Sequence, residues 1–121
     1  MAKPAKILTV LPHPWNPAQA TERLRAMARN EVFLLSYKEH AKDQLSERGL
    51  IMGDALYLLR NGFVYDNPKP ATRRGFYKYN MESRTPNSGQ RDIRITVIPD
   101  HNQCEAKIIT VMWADEPIVS G

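Results

Sequence analysis

The 121-residue sequence has one cysteine, Cys104, and lacks any long apolar run. One cysteine allows no internal disulfide and no cysteine-based zinc set. No segment approaches the roughly 20 apolar residues that a membrane helix needs. The short apolar stretch that ends at Pro12 is too short for the hydrophobic region of a secretory signal. The sequence therefore predicts a cytoplasmic protein with no membrane contact.

The signature motifs of several enzyme classes are also absent. The chain has no Gly-rich phosphate loop, no HExxH, no CxxC and no GxSxG. Such motifs hold phosphate-binding amides, zinc ligands or reactive side chains at a fixed spacing. Nucleotide-binding, zinc protease and redox activities are therefore unsupported, and we expect no metal and no cofactor. No single motif establishes an enzyme.

Positive charge is present and unevenly distributed. The net charge is +4, with 42% hydrophobic and 25% charged residues, values typical of a soluble globular domain. Residues 66–94 contain three acids and seven basic residues: Lys69, Arg73, Arg74, Lys78, Arg84, Arg91 and Arg94. Such a segment attracts phosphates or an acidic protein partner. An ordinary solvated surface of mixed charge is about equally compatible with it.

Helical signals fill the first half of the chain. Asn16-Pro17 provides an N-cap and a first-turn proline for a helix over residues 17–30. Ser36 and Glu39 match a capping box, which predicts a second helix from Tyr37 to Arg48 that stops at Gly49. A third helix is predicted over residues 52–61.

From residue 63 onward the pattern alternates, as in β-strands. Four strands are predicted, at residues 63–65, 75–81, 91–98 and 105–113, with a further short strand suggested at 31–35. The sequence thus predicts an α+β fold with N-terminal helices packed on a twisted, mainly antiparallel four-stranded sheet. We divide it into an arm and helix (1–30), a single α+β domain (31–115) and a tail (116–121).

A polar stripe on the second predicted helix is the first candidate site. His40, Gln44 and Arg48 recur every four residues and so share one side of that helix. A histidine and a guanidinium there could bind a phosphate. Local hydrogen bonding by His40 and ion pairing by Arg48 is the favoured alternative.

Cations and tyrosines in the predicted strands form a second candidate. Arg94 lies opposite the apolar face of its strand, where a guanidinium could stabilise a pentavalent phosphate; pairing with Glu82 or Glu105 is the alternative. Lys78 is a second cation in a predicted strand, and either Lys78 or the two tyrosines that flank it can face a ligand. Tyr77 and Tyr79 alternate with Lys78 near Arg74, a pattern that allows base stacking beside phosphate binding, although strand aromatics more often pack in the core. Arg73 and Arg91 complete the candidate RNA-binding set.

The segments Ser36–Ala41, Glu47–Leu50 and Leu59–Gly62 resemble a bacterial domain of uncharacterised function with the signature HAxxR followed by ERG. The resemblance covers residues 33–113. The chain departs from that signature at Gln44, where arginine is usual, and at Leu50, where isoleucine is usual.

That domain is similar to the RelE-type and MqsR-like toxin fold. The strand over residues 91–98 resembles the MqsR-like strand that carries a functional lysine, and Arg94 falls at that lysine. The resemblance implies a metal-independent mRNA endoribonuclease, the toxin of a toxin–antitoxin pair, with RNA (including ribosome-bound mRNA) and an antitoxin as partners. Arg94, Lys78, His40 and Tyr79 would then be catalytic, and Arg48, Arg73, Arg74, Tyr77 and Arg91 would bind RNA. A non-catalytic RNA- or protein-binding module, as in an accessory or inhibitory protein of a mobile element, is the alternative.

Overall fold

The computed structural model describes residues 12–117, which form three helices and a six-stranded sheet. The helices are α1 (Pro17–Arg29), α2 (Glu39–Glu47) and α3 (Met52–Asn61). The strands are β1 (Leu34–Tyr37), β2 (Phe63–Val64), β3 (Lys69–Pro70), β4 (Tyr77–Ser83), β5 (Ile93–Asp100) and β6 (Glu105–Trp113). The predicted irregular arm therefore lies mostly outside the described residues, as does the tail from residue 118.

The sheet has the strand order β1-β6-β5-β4-β2, with β3 also paired to β4. All pairs are antiparallel except β1 with β6, which is parallel. The α+β class and the mainly antiparallel sheet are therefore confirmed. The predicted number of four strands is wrong: the short strand suggested at 31–35 is present as β1, at residues 34–37, and β3 is a further short strand. Strands this short offer too few residues for an alternating pattern to be recognised.

All three helices contribute to one core against one face of the sheet. Ile93, Ile95 and Val97 point into this core from β5, and Leu24 of α1 and Leu58 of α3 meet them there. Alternate residues of a strand point to opposite faces, so the residues between these isoleucines and valines lie on the other face. That second face, which we call the open face, carries the candidate site.

Helix α1 begins as the sequence predicts. The Asn16 side chain accepts a hydrogen bond from the Gln19 amide at 2.8 Å, and the Gln19 side chain accepts one from the Asn16 amide at 3.0 Å. Pro17 occupies the first turn. The helix buries Ala20 and Leu24 in the same core as the sheet, so α1 is packed on the domain that follows it.

The predicted capping box at Ser36 and Glu39 is wrong. Helix α2 begins at Glu39, its N-cap is Lys38, and no side chain caps it. Ser36 instead belongs to β1, where it pairs in register with Lys107 of β6. The competing interaction is the parallel ladder: the Lys38 amide donates to the Ile108 carbonyl at 3.0 Å, which keeps the chain extended up to the first turn of the helix.

Gly49 ends α2 as predicted, with a φ of +69°. The Leu50 amide donates to the Leu45 carbonyl at 2.9 Å and so closes the helix end. A Cβ at position 49 would meet nothing within 4 Å, so any cost of substitution there comes from the backbone conformation.

We expect Gly49→Val to lower the free energy of unfolding by about 1–2 kcal/mol, because the left-handed conformation is strained for a β-branched residue. Gly49→Asn is the matched control, since asparagine tolerates this conformation, and it should cost clearly less. Urea denaturation of both variants measures the difference. Equal stability of the two would show that the backbone conformation at residue 49 is not the constraint.

Candidate functional site

The open face is partly covered at one end by the loop that precedes β4. Between this loop and the sheet lies a cleft of about 450 Å³. The lining residues come from the loop, from the three strands β4, β5 and β6 and from the β1 edge: Ser36, Lys38, Ala71, Thr72, Arg73, Phe76, Lys78, Ile98, Asp100, Glu105, Ala106, Lys107 and Ile109. The cleft is therefore a concave surface on a sheet face that is otherwise uncovered by residues 12–117.

Four cations line this cleft: Lys38, Arg73, Lys78 and Lys107. All four are exposed, and within residues 12–117 none of them forms an ion pair. The Arg73 guanidinium lies 4.3 Å from the centre of the Phe76 ring, which holds it at the mouth of the cleft. Cations gathered in a concave site raise the local concentration of anions.

A fifth cation lies beside the cleft. Lys69 of β3 is the direct register partner of Lys78 of β4, and both side chains are exposed. Like charges directly opposite each other on a sheet are destabilising. A bound anion would relieve that repulsion, so this pair also favours an anionic ligand on the open face.

Two carboxylates lie in the same cleft. Asp100 ends β5 and Glu105 begins β6, and the two are register partners. Even with these two carboxylates, more cations than anions line the cleft. Each carboxylate is also a group that can accept a proton. Among the described residues, no group of three or more His, Cys, Asp or Glu side chains is arranged to hold a metal ion.

Arg94 lies on the open face, outside the cleft, and its guanidinium is engaged by the protein. Its Nε donates to Glu82 Oε2 at 2.9 Å, and its Nη2 donates to the Ala114 carbonyl at 3.1 Å. Glu82 faces Arg94 across β4 and β5 in direct register. The structure thus has the cross-strand pairing that was the alternative to a phosphate contact.

We therefore expect Arg94→Ala to destabilise the fold by about 1–2 kcal/mol, because the half-buried Glu82 carboxylate would lose its partner. Arg94→Lys, which keeps one charge but not the planar fork, should fall between the variant and the parent. Thermal melts of the three proteins measure this order. An Arg94→Ala protein that melts with the parent would show that the pair contributes nothing to stability.

Tyr79 is enclosed in the core and does not line the cleft. Its hydroxyl accepts a hydrogen bond from the Trp15 amide at 2.9 Å and lies 2.7 Å from His13 Nδ1. Burial raises the pKa of Tyr79 to about 12, so the phenol stays protonated at neutral pH. Tyr77 is half-buried, and its ring stacks 6.0 Å from that of His13. These tyrosines anchor residues 13–15 to the sheet.

Two histidines border a smaller pocket of about 190 Å³ that shares Phe76 and Asp100 with the cleft. Burial lowers the pKa of His13, and so does nearby His101, against an opposing effect of Asp100. Burial and the Arg23 charge lower the pKa of His101, again opposed by Asp100. The His101 Nε2 atom is buried and has no hydrogen-bond partner in the part of the chain that the structure describes.

These lowered pKa values predict a loss of stability in mild acid. The unfolded chain binds protons on these histidines at a higher pH than the folded chain does, so stability rises with pH. The stability should be highest above pH 6.5, the usual pKa of histidine, and should decline as the pH falls through the lowered pKa values of His13 and His101. Melts between pH 8 and pH 5 should show this decline, and His101→Gln should flatten it. An unchanged profile in that variant would assign the decline to other groups.

The polar stripe on α2 closes an uncovered strand edge. Strand β1 ends at Tyr37, so among the described residues β6 has no strand neighbour on that side beyond Ile108. The Gln44 side chain accepts a hydrogen bond from the Val111 amide at 2.7 Å. An arginine at position 44 could not accept this bond, because its guanidinium has donors only.

Arg48 completes the same edge through Glu116. Its Nε and Nη2 each donate to a Glu116 carboxylate oxygen at 3.0 Å. Glu116 in turn accepts from the Trp113 amide at 2.8 Å. The hydrogen bond from Arg48 lowers the pKa of Glu116, together with that from the Trp113 amide. Gln44 directly, and Arg48 through Glu116, thus satisfy β6 amides that have no strand partner within residues 12–117. His40, the third residue of the stripe, is exposed and does not line the cleft.

The remaining candidates are divided between the cleft and the surface. Arg73 lines the cleft, and Arg74 next to it is exposed. Arg91 lies at the opposite end of the sheet, where its guanidinium is 4.1 Å from the centre of the Trp113 ring and pairs with Asp115 at 2.7 Å. Of the nine predicted site residues, the cleft brings together Lys78 and Arg73.

Sequence reasoning missed Lys38 and Lys107. Lys38 directly follows β1 and Lys107 lies in β6, and the parallel pairing of these strands brings both residues to one end of the open face. The only signal was the alternation of Lys107 with Ala106 and Ile108, which placed it on one face of its strand without saying which neighbour it would meet.

Comparison with known proteins gives one family. Residues 37–113 match the family described as "Domain of unknown function (DUF4258)", and the chain belongs to it. No curated protein and no solved structure matches the chain. The match begins in β1 and ends with β6, so it includes α2 with its edge-capping stripe and most of the cleft. Over residues 12–117, no helix has the length and apolar character needed to cross a membrane.

Proposed function

We propose that this chain is a metal-independent endoribonuclease that binds single-stranded RNA in the cleft of the open face. The observation that carries the proposal is the concentration of cations that form no ion pair within residues 12–117: Lys38, Arg73, Lys78 and Lys107 line the cleft, and Lys69 lies opposite Lys78. Their charges match a phosphate backbone, whose neutralisation dominates the affinity of nucleic-acid-binding proteins. The exposed lysines give contacts that are independent of base sequence.

RNA supplies its own nucleophile for the cleavage that we propose. The ribose 2′-oxygen attacks the adjacent phosphorus, the bond to the 5′-oxygen breaks, and a 2′,3′-cyclic phosphate and a 5′-hydroxyl result. Glu105 is positioned in the cleft to accept the 2′-hydroxyl proton. Lys78 and Lys107 neutralise the charge on the phosphate, and an ammonium group returns a proton to the leaving oxygen.

The architecture supports a RelE-like assignment within this proposal. Helices cover one face of a mainly antiparallel sheet and leave the other face open, the layout that the resemblance implies. On this assignment the chain is a toxin that cuts mRNA, including ribosome-bound mRNA, and a cognate antitoxin would cover the cleft. Induced expression should then arrest growth, and co-expression of the antitoxin should relieve the arrest.

A non-catalytic RNA- or protein-binding module is the second candidate. It is favoured by the placement of two expected catalytic residues: Arg94 is paired with Glu82, and Tyr79 is inside the core. His40 does not line the cleft either. In this case the cations would bind RNA, or an acidic segment of a protein, without cleavage, as in an accessory or inhibitory protein of a mobile element.

Incubation with a labelled single-stranded RNA in the presence of EDTA tests the proposal. We expect cleavage to a 2′,3′-cyclic phosphate, and no cleavage of the same strand made of DNA, which has no 2′-hydroxyl. Glu105→Gln should lower the cleavage rate at least tenfold while RNA affinity is retained. Tight binding with no cleavage by the parent protein would establish an RNA-binding module instead. No RNA binding would contradict both the endoribonuclease and the RNA-binding module and would leave the protein-binding module.

A further inference from the structure

Two aromatic rings are exposed at the β2 edge of the sheet. Phe63 is 47% exposed and Tyr65 is 68% exposed. Their rings stack, with centroids 6.1 Å apart and planes inclined by 22°. Exposed rings in contact with each other leave much of their apolar area in water, which in soluble proteins is typical of a binding surface.

The position of these rings follows from strand register. Phe63 pairs with Glu82 of β4, and directly paired residues point to the same face. Glu82 shares the open face with its register partner Arg94. Phe63 is therefore on the open face, the same face as the cleft, and the stacked ring of Tyr65 is beside it.

A fixed guanidinium lies beside the ring pair. Arg25 has its Cζ 4.4 Å from the centre of the Phe63 ring. Its Nε donates to the Gly62 carbonyl at 2.9 Å and its Nη2 to the Asn61 carbonyl at 3.0 Å. Carbonyl partners leave the positive charge without a carboxylate, and within residues 12–117 Arg25 forms no ion pair. A cation and aromatic rings together form the surface on which nucleobases stack.

The distance from the cleft suits one RNA strand. Lys78 and Glu82 are four residues apart on β4, about 13 Å at the rise of an extended strand. Between them the open face carries an uncharged row, in which Thr110 donates to Thr96 at 2.9 Å and Thr96 donates to Asn80 at 2.8 Å. The Asp66 carboxylate lies beside this row, with its Oδ2 3.4 Å from Asn80 Nδ2. A single strand bound in the cleft would reach the ring pair within a few nucleotides.

We propose that Phe63 and Tyr65 form a stacking platform for an unpaired base of the RNA strand whose phosphates lie in the cleft. The inference rests on the proposed function and specifies its substrate as single-stranded RNA several nucleotides long. Tyr65 is the more exposed ring and receives the base, while Arg25 and Phe63 support it. Every nucleobase has a π-face, so the platform selects for unpaired bases and not for sequence.

Fluorescence anisotropy with a labelled eight-nucleotide RNA tests this platform. The double variant Phe63→Ala, Tyr65→Ala should bind it about tenfold more weakly than the parent. A three-nucleotide RNA, too short to reach both sites, should bind parent and variant equally. Tyr57→Ala, which removes an exposed ring from α3, is the matched control and should leave both affinities unchanged. Tyr65→Ala alone serves if the double variant melts at a lower temperature.

Lys78→Glu separates the two proposals in the same assay. If it weakens binding of the eight-nucleotide RNA while the ring variants bind normally, the platform is refuted and RNA binding in the cleft stands. If neither the ring variants nor Lys78→Glu changes affinity, the proposed function is refuted with it. Ring variants that keep full RNA affinity but lose a protein partner would assign the platform to protein binding and also overturn the inference.

Discussion

The double substitution Lys78→Glu, Lys107→Glu is expected to reduce affinity for single-stranded RNA about a hundredfold at low salt. Both side chains line the cleft, from β4 and β6, and neither has an ion pair to lose within residues 12–117. Each reversal replaces an attraction to phosphate by a repulsion. Because both residues are exposed, the melting temperature should change little.

A matched control variant distinguishes a loss of RNA affinity caused by changes in the cleft from one caused by the lower net charge. Lys42→Glu, Arg84→Glu also lowers the net charge from +4 to 0, at exposed positions outside the cleft. This control should lose much less affinity than the cleft variant. The salt dependence gives a second measure, since each lost phosphate contact should reduce the slope of log K against log salt by about 0.7. Equal losses in the two variants would mean that RNA binding is not localised in the cleft.

Asp54→Ala is expected to lower the free energy of unfolding by about 3 kcal/mol, the largest stability effect that we predict. The carboxylate is almost fully buried. It accepts hydrogen bonds from the Ile51 amide at 2.9 Å, the Thr85 hydroxyl at 2.8 Å and the Asn87 amide at 3.1 Å. It thereby fastens the loop after β4 to the start of α3, and alanine would leave these donors unpaired.

The pKa of Asp54 gives the same prediction a pH dependence. Burial acts to raise this pKa, but the hydrogen bonds from Ile51, Thr85 and Asn87 outweigh burial and lower it. The ionised form is therefore favoured by folding, and its contribution is lost as the pH falls below the usual value of 3.8. Asp54→Asn is the control, since it keeps the size but replaces one acceptor oxygen by a donor NH2 group. Urea denaturation that finds less than 1 kcal/mol for Asp54→Ala would contradict this account.

Local sequence signals predicted the helices and the longer strands. The Asn16-Pro17 N-cap, the Gly49 stop and the limits of α3 depend on interactions within a few residues, and each is present in the structure. Ser36 and Glu39 also match a local pattern, that of the capping box, but this cap does not form. The ladder between β1 and β6 decides the conformation there, and it joins residues about 70 positions apart in the chain.

The candidate site was only partly predictable for a related reason. Alternation placed Arg94 on the non-core face of its strand, as observed, but it left open whether Lys78 or the tyrosines beside it face the core. It could not show that Arg94 would form an ion pair with Glu82, or that Lys38 and Lys107 would line the same cleft as Lys78. Those outcomes depend on strand order and on the loop that covers one end of the sheet. The role of Gln44 and Arg48 likewise depends on where β1 ends. Among the described residues, the β6 amides beyond that point have no strand partner.

Chemical-shift mapping of the ¹⁵N-labelled protein with a single-stranded eight-nucleotide RNA tests the central claim most directly. The account predicts that the largest shifts fall on the open face, at Lys38, Arg73, Lys78 and Lys107, and continue toward Phe63. The exposed side of α2 around His40 should not respond. Shifts confined to the helices, or none at an RNA concentration that saturates ordinary nucleic-acid-binding domains, would contradict the assignment of the cleft as an RNA site.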